Sequence, residues 1–349
     1  MFLFLSSGLF LGWSLGANDA ANVFGTAVAT RMVRFRTAAL VTSVFVILGA
    51  VISGGGTTET LGELGAVNAL GGSFMVALAA ALSVLWMTKA GLPVSVSQAI
   101  VGGILGWNFF TGSPTDPGSL IKIVSTWVAC PLLAAGFAAV FYLIVRAGIR
   151  ACRIHLLELD AGTRSLLLAV GAFGAYSLGA NNIANVMGVF VPAFPSGSAV
   201  VFGQIELTFP QMLFLVGGLA IASGVFTYSR RVMMTVGKDL FRLTPTTALI
   251  VVLAEAIVLF LFASQGLEGW LIARGLPPIP LVPVSSSQAV VGGVIGIALA
   301  RGARGFKIGV LGRIAGGWVA TPVIAALIAF LGLFILQNVF GLTVYLPGS

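Results

Sequence analysis

The chain has 349 residues, of which 58% are hydrophobic and 8% charged, with a formal net charge of +8 and a mean hydropathy of +1.09. That balance leaves too little polar surface to keep the chain dissolved in water, and it places the protein in a lipid bilayer. The 46 glycines suit close packing of membrane helices, where small residues let backbones approach.

Ten hydrophobic segments follow in order, at 2–30, 37–55, 66–88, 93–110, 118–145, 165–194, 208–228, 244–264, 281–300 and 308–338. Several exceed the ~20 residues that cross a bilayer, so tilts or breaks are expected. The first contains GANDAAN at 16–22, and its polar residues together with the lack of a basic start argue against a signal peptide. The fourth is short and opens PVSVSQAIVGG at 93–103. The sixth contains GANNIAN at 179–185, and the ninth opens PVSSSQAVVGG at 283–293. The same two strings thus occur twice, in the same order. The chain reads as a first membrane repeat at 1–150, a basic cytoplasmic connector at 151–164 and a second membrane repeat at 165–349. Extra residues in the second copy fall near 195–207 and 265–282, in stretches expected to be loops.

Charge orients the segments. If each crosses once, one side carries all but Lys122 and Arg274 of the 18 Lys and Arg residues, and that side is cytoplasmic. Both termini then lie outside, and the expected location is the cell inner membrane as a multi-pass protein. Five crossings per copy is an odd number, so the second copy is inverted relative to the first. The expected fold is therefore an all-α integral membrane protein of two inverted-topology repeats, the architecture of alternating access. Cys130 is placed in a membrane segment, and Cys152 and His155 in a basic loop. None has a ligand-spaced companion, so neither a disulfide nor a metal cluster is expected.

Polar chemistry concentrates in the repeated strings. Asn18, Asp19 and Asn22 interrupt an apolar helix, and burying a carboxylate there costs about 2.5–3.5 kcal/mol. A bound cation offsets that cost, and carboxylate and amide oxygens are ligands that Na⁺ favours. The second copy offers Asn181, Asn182 and Asn185, with an amide where the acid stood. Ser95, Ser97 and Gln98 follow Pro93, and Ser285, Ser286, Ser287 and Gln288 follow Pro283. Proline followed by serine starts helices, and the glycine pairs at 102–103 and 292–293 permit a bend, so a re-entrant or broken helix is expected at each stretch. Free amides and hydroxyls at two such starts can bind an anion, with the helix dipoles together contributing about one positive charge. No Lys or Arg lies well inside a segment, so an anion beside Asp19 leaves the site negative unless cations bind with it.

With GANDAAN, GANNIAN and the two PVS stretches in place, the chain resembles the PiT-type inorganic phosphate transporters over nearly its whole length. RRVMMTVGKDL at 230–240 is similar to a basic segment of that family, and Glu255 matches a family glutamate implicated in ion coupling. The resemblance implies phosphate as substrate and Na⁺ or H⁺ as coupling ion, with no other cofactor. Na⁺ is preferred here because paired amide and hydroxyl oxygens suit a metal ion. Substrate contacts are implied at Ser95, Ser97, Gln98, Ser286, Ser287, Gln288, Asn18 and Asn181. Cation contacts are implied at Asp19, Asn22, Asn182, Asn185, Ser285 and Glu255. Dimerisation is also implied. Asn182, where phosphate carriers usually have Asp, and the absence of a long central loop are shared with a sulfate permease-like branch, so sulfate is the alternative substrate. That branch lacks the aspartate kept here as Asp19, which favours phosphate. A passive channel fits less well because channels repeat their filter around an axis. An enzyme is not expected, since no nucleophile and base pair or metal set is present. No nucleic-acid partner is expected.

Overall fold

The computed structural model describes residues 2–65, 67–89, 94–152, 156–194, 197–201, 205–235, 243–302 and 308–346. Hydrocarbon offers the backbone no hydrogen-bond partner, so apolar runs close their bonds internally as helices. The helices are α1 (Phe2–Ala29), α2 (Phe35–Ser53), α3 (Gly55–Leu64), α4 (Leu70–Lys89), α5 (Val96–Thr111), α6 (Pro117–Cys152) and α7 (Leu156–Met187). They continue with α8 (Phe209–Thr227), α9 (Ser229–Thr235), α10 (Pro245–Leu261), α11 (Gln265–Ile272), α12 (Ser286–Ala300) and α13 (Ile308–Asn338). Each of the ten hydrophobic segments overlaps one of the longer helices.

Among the described residues six helices, α2, α4, α6, α7, α8 and α13, are long and apolar enough to cross a membrane. The pair α10 and α11, bent by 62°, makes a seventh if taken as one span. The fourth and ninth segments, where a re-entrant or broken helix is expected, are not among these spans, nor is the first. Polar Asn18, Asp19 and Asn22 dilute α1, and α5 and α12 are short, with 16 and 15 residues. At 1.5 Å per residue these two rise about 24 and 22 Å, less than the ~30 Å hydrocarbon core.

Several local expectations change. Residues 195–207, expected as loop, include the first strand and part of the second of an antiparallel hairpin, β1 (Ser198–Val201) with β2 (Ile205–Thr208), where Ser198 pairs with Thr208. The β-branched residues of SAVV and IELT favour the extended conformation, and the pairing of the two strands satisfies backbone groups outside the helices. Residues 265–272, also expected as loop, are α11. Cys152 ends α6 instead of sitting in a loop, and residues 156–164 of the expected connector are the first turns of α7. Pro93, His155 and residues 236–240 lie outside the described residues.

Helix starts follow local chemistry. Thr208 caps α8 in a capping box with Gln211, and Thr244 caps α10 in a box with Thr247, each with a proline in the first turn. At α6, Asp116 precedes Pro117 and accepts from the Ser119 amide at 2.6 Å. The Ser119 amide and then its hydroxyl hold the Asp116 carboxyl below the ordinary value of 3.8. A depressed acid stabilises the fold above its unfolded-state pKa, and the contribution is lost as pH falls through its folded-state value. Asp116→Asn keeps a capping oxygen but cannot titrate. The melting-temperature gap between wild type and Asp116→Asn is therefore expected to be largest near neutral pH and to close below pH 3.8, as read by thermal unfolding in detergent.

The two sequence repeats interleave. From the first copy, α1 packs on α8 and α5 on α13; from the second, α7 packs on α2 and α12 on α6. Glycines make the closest of these contacts. A side-chain carbon on Gly16 would strike the Ile221 backbone and one on Gly224 the Trp13 backbone, while Gly179 abuts Val46 and Gly49 abuts Tyr176. Gly102 likewise abuts Pro322, and Gly292 abuts Pro131. The glycine pairs at 102–103 and 292–293 therefore do not bend their helices. Both α5 and α12 run unbroken through them, because a missing side chain serves a neighbouring backbone here without opening the hydrogen-bond ladder.

Candidate functional site

Both PVS stretches become buried helix starts. Ser95 and Ser285 have extended backbones, and their hydroxyls accept from Gln98 N at 3.2 Å and Gln288 N at 3.3 Å. The first helical bonds run from Ala99 N to Ser95 O (3.1 Å) and from Ala289 N to Ser285 O (3.0 Å). The amides of Val96 and Ser97, and of Ser286 and Ser287, precede them at the helix tips. The tips also hold each other: Ser97 Oγ donates to Val284 O at 3.0 Å, and Ser287 Oγ donates to Val94 O at 2.5 Å. The hydroxyl hydrogens of Ser97 and Ser287 are thus committed to the opposite strand in this arrangement.

The GANDAAN residues reach the α12 tip. Asp19 and Asn22 lie three apart on α1 and so share a face. Asn18 donates to Asp19 Oδ1 at 3.0 Å, and Asn22 donates to Ser286 Oγ at 2.8 Å. Ser286 in turn donates to Glu255 Oε1 at 2.5 Å. Asn22, Ser286 and Glu255, from α1, α12 and α10, form one hydrogen-bonded chain, with Asp19 one turn away. On α7, Asn185 donates to Ser97 Oγ at 2.9 Å and to Asn182 Oδ1 at 3.0 Å. Asn181 donates to Val282 O at 3.1 Å and Leu259 O at 3.4 Å and accepts from Val284 N at 2.8 Å, so its amide fastens the strand that leads into α12.

Electrostatically the interior is lopsided. Among the described residues no Lys or Arg is buried, whereas Asp19 is 2% and Glu255 0% exposed. Five buried polar atoms at the tips have no protein partner. Four are acceptors, Gln98 Oε1, Asn185 Oδ1, Glu255 Oε2 and Gln288 Oε1, and one is a donor, Asn182 Nδ2. A buried group without a partner costs about 1–3 kcal/mol, so a site this rich in acceptors favours a cation or a proton-bearing ligand.

Sequence reasoning missed the residues that position the tips. Trp127–Pro131 reads WVACP and Trp318–Pro322 reads WVATP, a third repeated string whose prolines receive Gly292 and Gly102. Cys130 Sγ also reaches Ser285 O at 3.5 Å. The recurrence of that string was the available signal.

A multi-pass bundle of apolar helices, with two polar helix tips converging in its interior, defines a membrane transport protein. The sequence model of the phosphate transporter family matches residues 15–160, 150–329 and 279–344, and the chain belongs to that family. It is therefore a transporter and not an enzyme. A protein of Pyrococcus horikoshii named as a candidate phosphate permease is 27% identical, covering 94% of this chain and 95% of its own length. A chloroplastic inorganic phosphate transporter of Arabidopsis thaliana is 24% identical, covering 95% of this chain and 71% of its own. A solved structure described as the sodium-dependent phosphate transporter shares the fold with a TM-score of 0.76 at 23% identity. It covers 96% of this chain and 98% of that one.

Proposed function

We propose that the protein imports inorganic phosphate together with a cation, Na⁺ in preference to H⁺, by alternating access. The observation that carries this reading is the meeting of two buried helix starts, with no Lys or Arg buried among the described residues. The anion lies between the tips and is bound by the amides of Val96, Ser97, Ser286 and Ser287 and by the side chains of Gln98, Gln288 and Asn18. Ser95 and Asn181 shape the tips around it, and Ser97 and Ser287 join them to each other. The cation lies beside Asp19 and Asn22, where a carboxylate and amide oxygens suit Na⁺. Asn182, Asn185 and Ser285 supply further neutral oxygens, and Glu255 adds carboxylate charge through the Oε1 that it shares with Ser286, leaving Oε2 free.

Reciprocal contacts support inverted halves: exchanging the copies turns Gly102 on Pro322 into Gly292 on Pro131, and Ser97 to Val284 into Ser287 to Val94. Two such halves can swap conformations and so expose one site alternately to each side. A crevice lined by Asn22, Thr26, Leu167, Leu243 and Val251 runs beside the cluster, next to the segments that precede and follow basic loops. With those loops cytoplasmic and both termini outside, in a cell inner membrane, it gives the inward route.

Uptake by reconstituted vesicles tests the reading. Labelled phosphate is expected to accumulate under an inward Na⁺ gradient, to exchange with internal phosphate, and to respond only weakly to a proton gradient. Uptake that ignores both gradients and lacks exchange would make the protein a channel. Sulfate that displaces phosphate mole for mole would assign it to the sulfate branch.

A further inference from the structure

Among the described residues, Glu255 is the buried carboxylate that hydrogen-bonds a helix tip. Its Oε1 accepts from Ser286, the first helical residue of α12, and its Oε2 is buried without a partner. Asn22 holds Ser286 from the opposite side, which fixes the direction of the Ser286 hydroxyl toward Glu255. Asp19 differs: Asn18 occupies its Oδ1, and no hydrogen bond ties it to either tip. The aligned strings VALAAAL at 76–82 and VVLAEAI at 251–257 place Ala80 opposite Glu255, so the acid exists in one half only. Gly103 against Val76 and Gly293 against Val251 support that register in three dimensions.

We propose that Glu255 is a specificity-determining residue, whose free oxygen accepts the hydrogen of a protonated oxyanion and so separates phosphate from sulfate. The proposal rests on the phosphate reading above. Hydrogen phosphate carries a P–OH group at neutral pH, and sulfate carries none. With phosphate between the tips, the P–OH donates to Oε2, giving a charge-assisted hydrogen bond and a partner for the orphaned atom. With sulfate, two bare anionic oxygens would face each other in a medium of low dielectric, and the carboxylate would stay unpaired. Sites built around a required hydrogen bond reject ligands that lack it far more strongly than sites that read shape alone.

Wild-type protein tests this without mutation. Monofluorophosphate dianion matches hydrogen phosphate in charge and tetrahedral shape but has no hydroxyl, whereas arsenate keeps one. In competition against labelled phosphate bound to purified protein, arsenate is expected to compete, while sulfate and monofluorophosphate should be at least tenfold weaker. Fluorophosphate that competes as well as phosphate would overturn the proposal. Glu255→Gln replaces the acceptor by an amide that can donate to any oxyanion. It is expected to narrow the preference for phosphate over sulfate and fluorophosphate by at least tenfold, and an unchanged ratio would overturn the assignment to Glu255. A wild-type protein that binds no phosphate would sink the phosphate reading itself. Phosphate binding without discrimination would sink only this inference.

Discussion

Replacing Asp19 by Asn is expected to lower Na⁺-driven phosphate uptake by about 100-fold or more while leaving the protein folded. Asp19 is 2% exposed in the middle of α1, and no basic residue is buried among the described residues. Burying its charge costs about 2.5–3.5 kcal/mol, and a cation bound beside it offsets that cost. In the proposed mechanism, removing the carboxylate takes away the strongest partner of the cation, and with the cation goes the positive charge that balances the anion. At about 1.4 kcal/mol per factor of ten, the middle of that range, about 3 kcal/mol, gives an effect on the order of 100-fold. Folding should survive because the second copy carries Asn182 at the matching place, 1% exposed, which shows that an amide fits there. Asn18 can still donate to the amide oxygen of an Asn at position 19. Gradient-driven uptake, phosphate binding with and without Na⁺, and a thermal melt check the three parts separately. Normal transport by the variant would remove Asp19 from the mechanism.

The second large effect is expected at Gly292 and Gly102. A side-chain carbon on Gly292 would lie within the contact distance of the Pro131 backbone, and one on Gly102 would do the same to Pro322. Backbone cannot rotate away as a side chain can, so the helices must separate. Overpacking of this kind costs about 1–3 kcal/mol for a methyl group, and more for Leu. Gly292→Ala should lower the melting temperature and displace the Ser285 cap from Cys130, and Gly292→Leu should prevent accumulation of folded protein. Gly136 on α6 supplies the control, because nothing lies within 4 Å of the place its side chain would take. Gly136→Ala is expected to be neutral or to stabilise by up to about 1 kcal/mol, since alanine favours the helix. Equal damage at all three positions would mean that the close approach to proline is not what glycine serves.

Glu255 shows where reading along the chain reaches its limit. It lies 31 residues before Ser286 and on another helix, yet it forms a 2.5 Å hydrogen bond with it. Asn22 reaches the same hydroxyl from 264 residues away. Repetition of the strings made these residues candidates, but it could not show that the acids of the two halves gather on one side. Nor could it show that Asn181 spends its amide on the 282–284 segment, or that the glycine pairs serve neighbouring prolines and leave α5 and α12 unbroken. The hairpin at 198–208 and helices α3, α9 and α11 went unseen because they are short and lie between the apolar runs that dominate hydropathy.

The amino-acid order alone determined that the chain enters a bilayer, that it is a doubled unit, and that helices begin after Ser95 and Ser285. Hydropathy, recurrence and capping each act within a few residues, so they can be read directly. Only the tertiary structure decided which tips face each other, which hydroxyls are already engaged and which acceptors remain unpaired. Those outcomes depend on helix packing across hundreds of residues, where the approach of one backbone to another, permitted by a glycine, selects the partners.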